Sequence, residues 1–143
     1  MQKTAHTASV LSSAIPARRI LIRTVRPLRA RMDKLDTAIR EFTPEDGAWL
    51  PLEAYFEQAF SSPDPKRSYH AIFNLFERFP DEDGAGLFWS ALHGMEAIGG
   101  YEDLLLQYFR RHPSLMTTTM LRRIQNLGQT HIGSVPLSIL ITK

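Results

Sequence analysis

The chain is predicted to fold as an all-α domain, a right-handed stack of α-hairpins preceded by a flexible basic arm. Two observations carry this. Apolar residues recur at helical spacing along nearly the whole chain after residue 33. After residue 33, proline and glycine fall between these stripes, Pro51 and Gly94 excepted. Among the 143 residues there is no cysteine, so disulfides, thiolate zinc sites and a cysteine nucleophile are excluded.

Charge is divided unevenly. Residues 1–32 carry Lys3, Arg18, Arg19, Arg23, Arg26, Arg29 and Arg31 with no acid, whereas residues 33–143 carry 10 basic and 15 acidic residues. The net charge of +2 thus joins a basic arm (1–32) to an acidic body of net −5 (33–143). Residues 1–15 are rich in Ser, Thr and Ala without periodicity and read as a disordered start. Leu21, Val25, Leu28 and Met32 then follow helical spacing across Pro27. Four readings of the arm stay open: an extension upstream of a natural start at Met32, a transit-type presequence, a nucleic-acid or anionic-membrane arm, and a helix docked on the body. No apolar run approaches bilayer length, so a soluble protein is expected.

In the body, Leu35, Ala38, Ile39 and Phe42 form a short amphipathic set ending at Thr43-Pro44. Trp49, Leu52, Phe56, Ala59 and Phe60 give the next face. Asp64-Pro65 reads as a helix start, with an N-cap carboxylate and proline at the first helical position. Tyr69, Ile72, Phe73, Phe76 and Phe79 make the most regular stripe, closed by Pro80. An acidic triplet, Asp81-Glu82-Asp83, leads to a helix with Phe88, Ala91, Leu92, Met95 and Ile98 on one face, ended by Gly99-Gly100. Carboxylates near a helix N-terminus are favoured by its dipole, which accounts for two of the three acids. Mid-helix Gly94 costs about 1 kcal/mol relative to alanine, so a close helix–helix approach is expected there.

Leu104, Leu105, Tyr108 and Phe109 form the following helix, with Arg110, Arg111 and His112 complementing its C-terminal dipole. Pro113 is expected to start a helix burying Met116, Met120, Ile124 and Leu127, stopped by Gly128. The tail from Pro136 reads as a short helix, with a strand as the alternative. Phe76-Glu77-Arg78-Phe79-Pro80 is echoed by Phe109-Arg110-Arg111-His112-Pro113 at a spacing of 33 residues, which suits HEAT-like paired-helix repeats.

Candidate chemistry is sparse. Trp89, His93 and Glu96 stand at i, i+4 and i+7, along one edge of the central helix. One His-x-x-Glu supplies two ligands where a bound ion needs about four, so His93 reads first as a histidine held by a carboxylate, and otherwise as part of a recognition surface. A calcium loop starting at Asp81 would need glutamate at its twelfth position, where Leu92 stands. Trp89 is either a core filler or an interface anchor. Arg122-Arg123 and Lys66-Arg67 read as doublets on solvated faces. No nucleophile elbow or phosphate loop is present. No catalytic residue, metal ligand set or cofactor is expected.

The run Phe79-Pro80-Asp81-Glu82-Asp83-Gly84, with Gly86, Phe88-Trp89-Ser90, Leu92-His93-Gly94, Glu96 and Gly100-Tyr101-Glu102, resembles a motif of small all-helical bacterial proteins. These are the immunity proteins of polymorphic and contact-dependent toxin systems. The resemblance covers roughly residues 33–130, with Arg122 to Gly128 matching a further helix and turn; it leaves out the basic arm. It implies a cytoplasmic, non-enzymatic protein that binds a cognate toxin domain and masks its active or substrate-binding site. On that view the contact set is Asp81, Glu82, Asp83, Trp89, His93, Glu96, Tyr101, Glu102 and Asp103, with Trp89 as anchor and the carboxylates as a steering rim. The alternatives are a helical-repeat adaptor and a nucleic-acid-binding protein that uses the basic N-terminal arm. Nucleic acid is expected at most through residues 1–32, and no membrane partner is expected.

Overall fold

The computed structural model describes residues 27–142, which are mostly helical. The chain divides into two compact units, Met1–Lys34 and Leu35–Lys143. Of the first unit only residues 27–34 are described, as helix; the readings of residues 1–26 of the arm lie outside the described residues. The helix α1 covers residues 27–40, so the boundary expected after residue 32 falls within it.

The second unit completes α1 and continues with α2 (Pro51–Ser61), a 3-10 turn (Pro65–Ser68), α3 (Tyr69–Arg78), α4 (Leu87–Ile98), α5 (Glu102–Arg111) and α6 (Leu115–Asn126). Then β1 (His131–Ile132) pairs antiparallel with β2 (Val135–Pro136), Ile132 opposite Val135, and α7 (Leu137–Leu140) follows. The tail therefore realises both readings of its sequence, a strand pair and then a single helical turn.

The core is built on α3. Six of its ten residues are buried, Tyr69, Ala71, Ile72, Phe73, Leu75 and Phe76. Such a helix needs neighbours on more than one side, and it packs against α4, α5, α6 and the 3-10 turn. Phe73 stacks on Tyr108 of α5, centroids 5.4 Å apart. Phe76 lies 5.1 Å from Phe88 of α4. Trp49, between α1 and α2, inserts edge-on to both Phe79 and Phe88 at 5.0 and 5.3 Å. Full burial of one such ring stabilises the fold by about 1.5–3 kcal/mol.

On α4, Gly94 is where α2 comes close: a Cβ there would stand 2.7 Å from the Phe60 ring. That contact explains a glycine in mid-helix. Both α3 and α5 end at a residue before proline, Phe79 and His112, whose φ of −124° and −151° leave the helical region. The Leu115 N–H donates to the Pro80 carbonyl at 2.6 Å and ties the two junctions together. The echo at 33 residues holds at these junctions and fails beyond them. The connector to α4 is longer than that to α6, so Leu87 and Leu115 open their helices only 28 positions apart.

Four local expectations need correction. Helix α4 begins at Leu87 with no acid in its first turn, because Gly84, Ala85 and Gly86, all at positive φ, separate Asp81-Glu82-Asp83 from it. No carboxylate of the triplet caps α4; only the Asp83 carbonyl meets it, accepting from the Phe88 N–H at 3.0 Å. Asp64 precedes a 3-10 turn and makes no side-chain cap bond. Helix α6 is capped by Ser114, not opened by Pro113: Ser114 Oγ accepts from the Thr117 N–H at 3.1 Å while Thr117 Oγ1 accepts from the Ser114 N–H at 3.0 Å. Leu127 is 78% exposed, since it lies past the last helical turn as the C-cap; Thr117 and Leu121 fill the buried face instead.

Phe76→Ala is expected to cost about 3–5 kcal/mol, and Ser114→Ala about 1 kcal/mol. Urea unfolding should show both as lower midpoints at unchanged slope. A Phe76→Ala midpoint within error of wild type would contradict the placement of α3.

Candidate partner-binding edge

Trp89, His93 and Glu96 share one face of α4, as their spacing requires. The Trp89 and His93 rings lie 5.9 Å apart, and His93 Nδ1 is 3.6 Å from Glu96 Oε1. Helix α6 supplies a fourth member, Arg123. Its Nε donates to Glu96 Oε2 at 2.8 Å and its Nη2 to Oε1 at 2.9 Å, a bidentate clamp joining the two helices. The same guanidinium lies over the Trp89 ring, 5.9 Å from its centroid. Trp89 is half-buried and the His93 side chain is 58% exposed, so the edge faces solvent.

Hydrogen bonding from Arg123, then its charge, holds the Glu96 carboxyl below the usual glutamate range against the opposing effect of burial; His93 adds to the lowering. The clamp raises Arg123 in turn. Beyond the C-terminus of α4, Gly99 and Gly100 adopt φ of 85° and 74°, a reversal open to glycine. The Tyr69 hydroxyl of α3 donates to the Gly99 carbonyl at 2.8 Å and pins this turn. Tyr101 follows it and is buried, its phenol pushed up first by burial, then by Glu102 and Glu96. Glu96, Tyr101, Arg123, Asn126 and Leu127 line a depression of about 320 Å³.

The nine candidate residues are thus divided. Trp89, His93, Glu96 and Tyr101 gather along α4 and the turn after it. Asp81 and Glu82 are exposed and Asp83 half-buried in the loop before α4. Asp81 borders a different depression, with Pro113, Leu115, Thr118 and Arg122. Glu102 and Asp103 are exposed in the first turn of α5, and Asp103 borders a third depression with Arg110 and Arg111. Among the described residues, no three His, Asp or Glu side chains group as a metal site would.

Arg123 is the residue that sequence reasoning missed. It stands 27 positions from Glu96, and no local signal links them. The other doublet is corrected likewise: Arg67 pairs with Asp36 at 3.3 Å.

Because the folded Glu96 carboxyl is depressed, its contribution to stability is complete above the ordinary glutamate pKa of about 4.3. It is lost as pH falls through the lower folded value. The stability difference between wild type and Glu96→Gln should be about 0.5–1 kcal/mol at neutral pH for a pair this exposed. It should shrink in acid. Asp36, whose carboxyl is raised by burial, is common to both proteins and drops out of the difference. A difference that stays constant into acid would contradict the clamp.

No protein-family model, curated protein or solved structure matches the chain.

Proposed function

We propose that the chain is a non-enzymatic immunity protein, which binds a cognate bacterial toxin domain in the cytoplasm and masks its active or substrate-binding site. The observation that carries this reading is the α4–α6 edge. A half-buried tryptophan there is flanked by an exposed histidine and held from behind by a clamped guanidinium. Tryptophan and arginine are enriched at the energetic centres of protein interfaces, and a side chain fixed before binding loses less entropy on association.

The toxin enters through the resemblance of the Phe79–Glu102 run to immunity proteins. The acidic body is in keeping with it, because an electronegative inhibitor is steered rapidly onto a basic nuclease-like domain. The helix pairings suit a HEAT-like stack: α3 lies on α5, α4 on α6, and α3 also touches α4 as α5 touches α6. Glu77 and Arg111 clamp α3 to α5 at 3.0 and 3.2 Å, as Glu96 and Arg123 clamp α4 to α6.

The test is co-expression with the toxin domain encoded in the adjacent reading frame. A one-to-one complex is expected, with association slowing as salt rises. Trp89→Ala should weaken it by about thirtyfold, the loss of an interface anchor worth about 2 kcal/mol. Absence of a complex, or a Trp89→Ala variant of unchanged affinity, would overturn the proposal.

A further inference from the structure

We infer that the depression beside this edge receives an uncharged hydrogen-bonding group of the bound protein, a peptide or carboxamide, and not a carboxylate, phosphate or ammonium. That the group belongs to a protein rests on the reading above; its chemistry follows from the lining. Glu96 and Arg123 neutralise each other through two parallel hydrogen bonds. What remains available is the Tyr101 hydroxyl, the Asn126 carboxamide and the outer N–H edge of the guanidinium. Among the described residues, neither the Tyr101 hydroxyl nor the Asn126 carboxamide is engaged in a hydrogen bond, and neither is sealed from solvent. Hydroxyl and carboxamide each both donate and accept. That pairing matches a peptide group, which also does both.

Charged occupants fit poorly on either sign. An anion gains no net attraction from the paired Glu96 and Arg123 and has Glu102 nearby. Ionisation of the Tyr101 phenol is disfavoured first by burial, then by Glu102 and Glu96, with Arg123 opposing. A cation would have to lie against the Arg123 guanidinium or displace it from Glu96. Leu127, 78% exposed at the end of α6, is the apolar part of the lining. The volume of about 320 Å³ is some ten times a water's share of the liquid, about 30 Å³, and admits a peptide group with part of its neighbour.

Three small probes test this on the full chain by NMR: N-methylacetamide, acetate and methylammonium at equal concentration. N-methylacetamide should give saturable shifts of the Tyr101 ring resonances larger than those given by either ion. The response of the Tyr101 ring should be lost in Asn126→Ala, an exposed position whose replacement leaves the core intact. Tyr101→Phe should abolish the shift of the Asn126 side-chain amide. A larger response to acetate or methylammonium, equal responses to all three, or an undiminished response in Asn126→Ala would each overturn the inference. Failure of the toxin domain to bind would sink the immunity reading while leaving a selective amide response standing, so the two ideas fail separately.

Discussion

The burial of α3 is the constraint on which the second unit depends. A ten-residue helix with Tyr69, Ile72, Phe73, Leu75 and Phe76 all sealed from water leaves only the narrow stripe of His70, Asn74, Glu77 and Arg78 to solvent. Its neighbours must therefore supply apolar surface from several directions, and they do so through aromatic rings: Tyr108 from α5 and Phe88 from α4, the latter backed by Trp49 from the loop before α2. Once α4 and α6 are held against α3, their outer seam is determined. The position of Trp89 on that seam is a consequence of which α4 positions the core takes.

Polar clamps refine what the core arranges. Glu77–Arg111 and Glu96–Arg123 each join a helix to the next but one, at part-exposed positions. Pairs so placed add little to stability. Their geometric effect is greater, since a bidentate guanidinium fixes both rotation and register. At Glu96 the fixed guanidinium also lies over the Trp89 ring, which orders the seam. The pinning of the Gly99-Gly100 turn by Tyr69 extends this order to Tyr101.

Much of this was legible from the residues alone, where the cause is local. The stripe of α3, the arginines closing α5 and the close approach at Gly94 follow from periodicity, dipole and glycine cost. The alignment of Trp89, His93 and Glu96 is a matter of helical spacing. What was not legible is tertiary or conformational. Ala85 takes φ of 54°, which nothing in its side chain announces, and with its two glycine neighbours it lifts the acidic triplet away from α4. The Glu96–Arg123 clamp joins residues distant in sequence, so Arg123 read as one of a solvated pair. Leu127 follows the apolar spacing of α6 but falls one step past its end. The Ser114 cap was hidden behind a proline that looked like the obvious start.

Hydroxyl-radical footprinting of the full chain, alone and with the toxin domain that the proposed function expects in an adjacent reading frame, reads side-chain access residue by residue. Exposed Leu50 and Ile139, distant from α4 in sequence, serve as internal references. Oxidation of Trp89 and His93 should fall in the complex while Leu50 and Ile139 stay unchanged. Unaltered labelling of Trp89 and His93, with protection appearing at Leu50 or Ile139 instead, would contradict it.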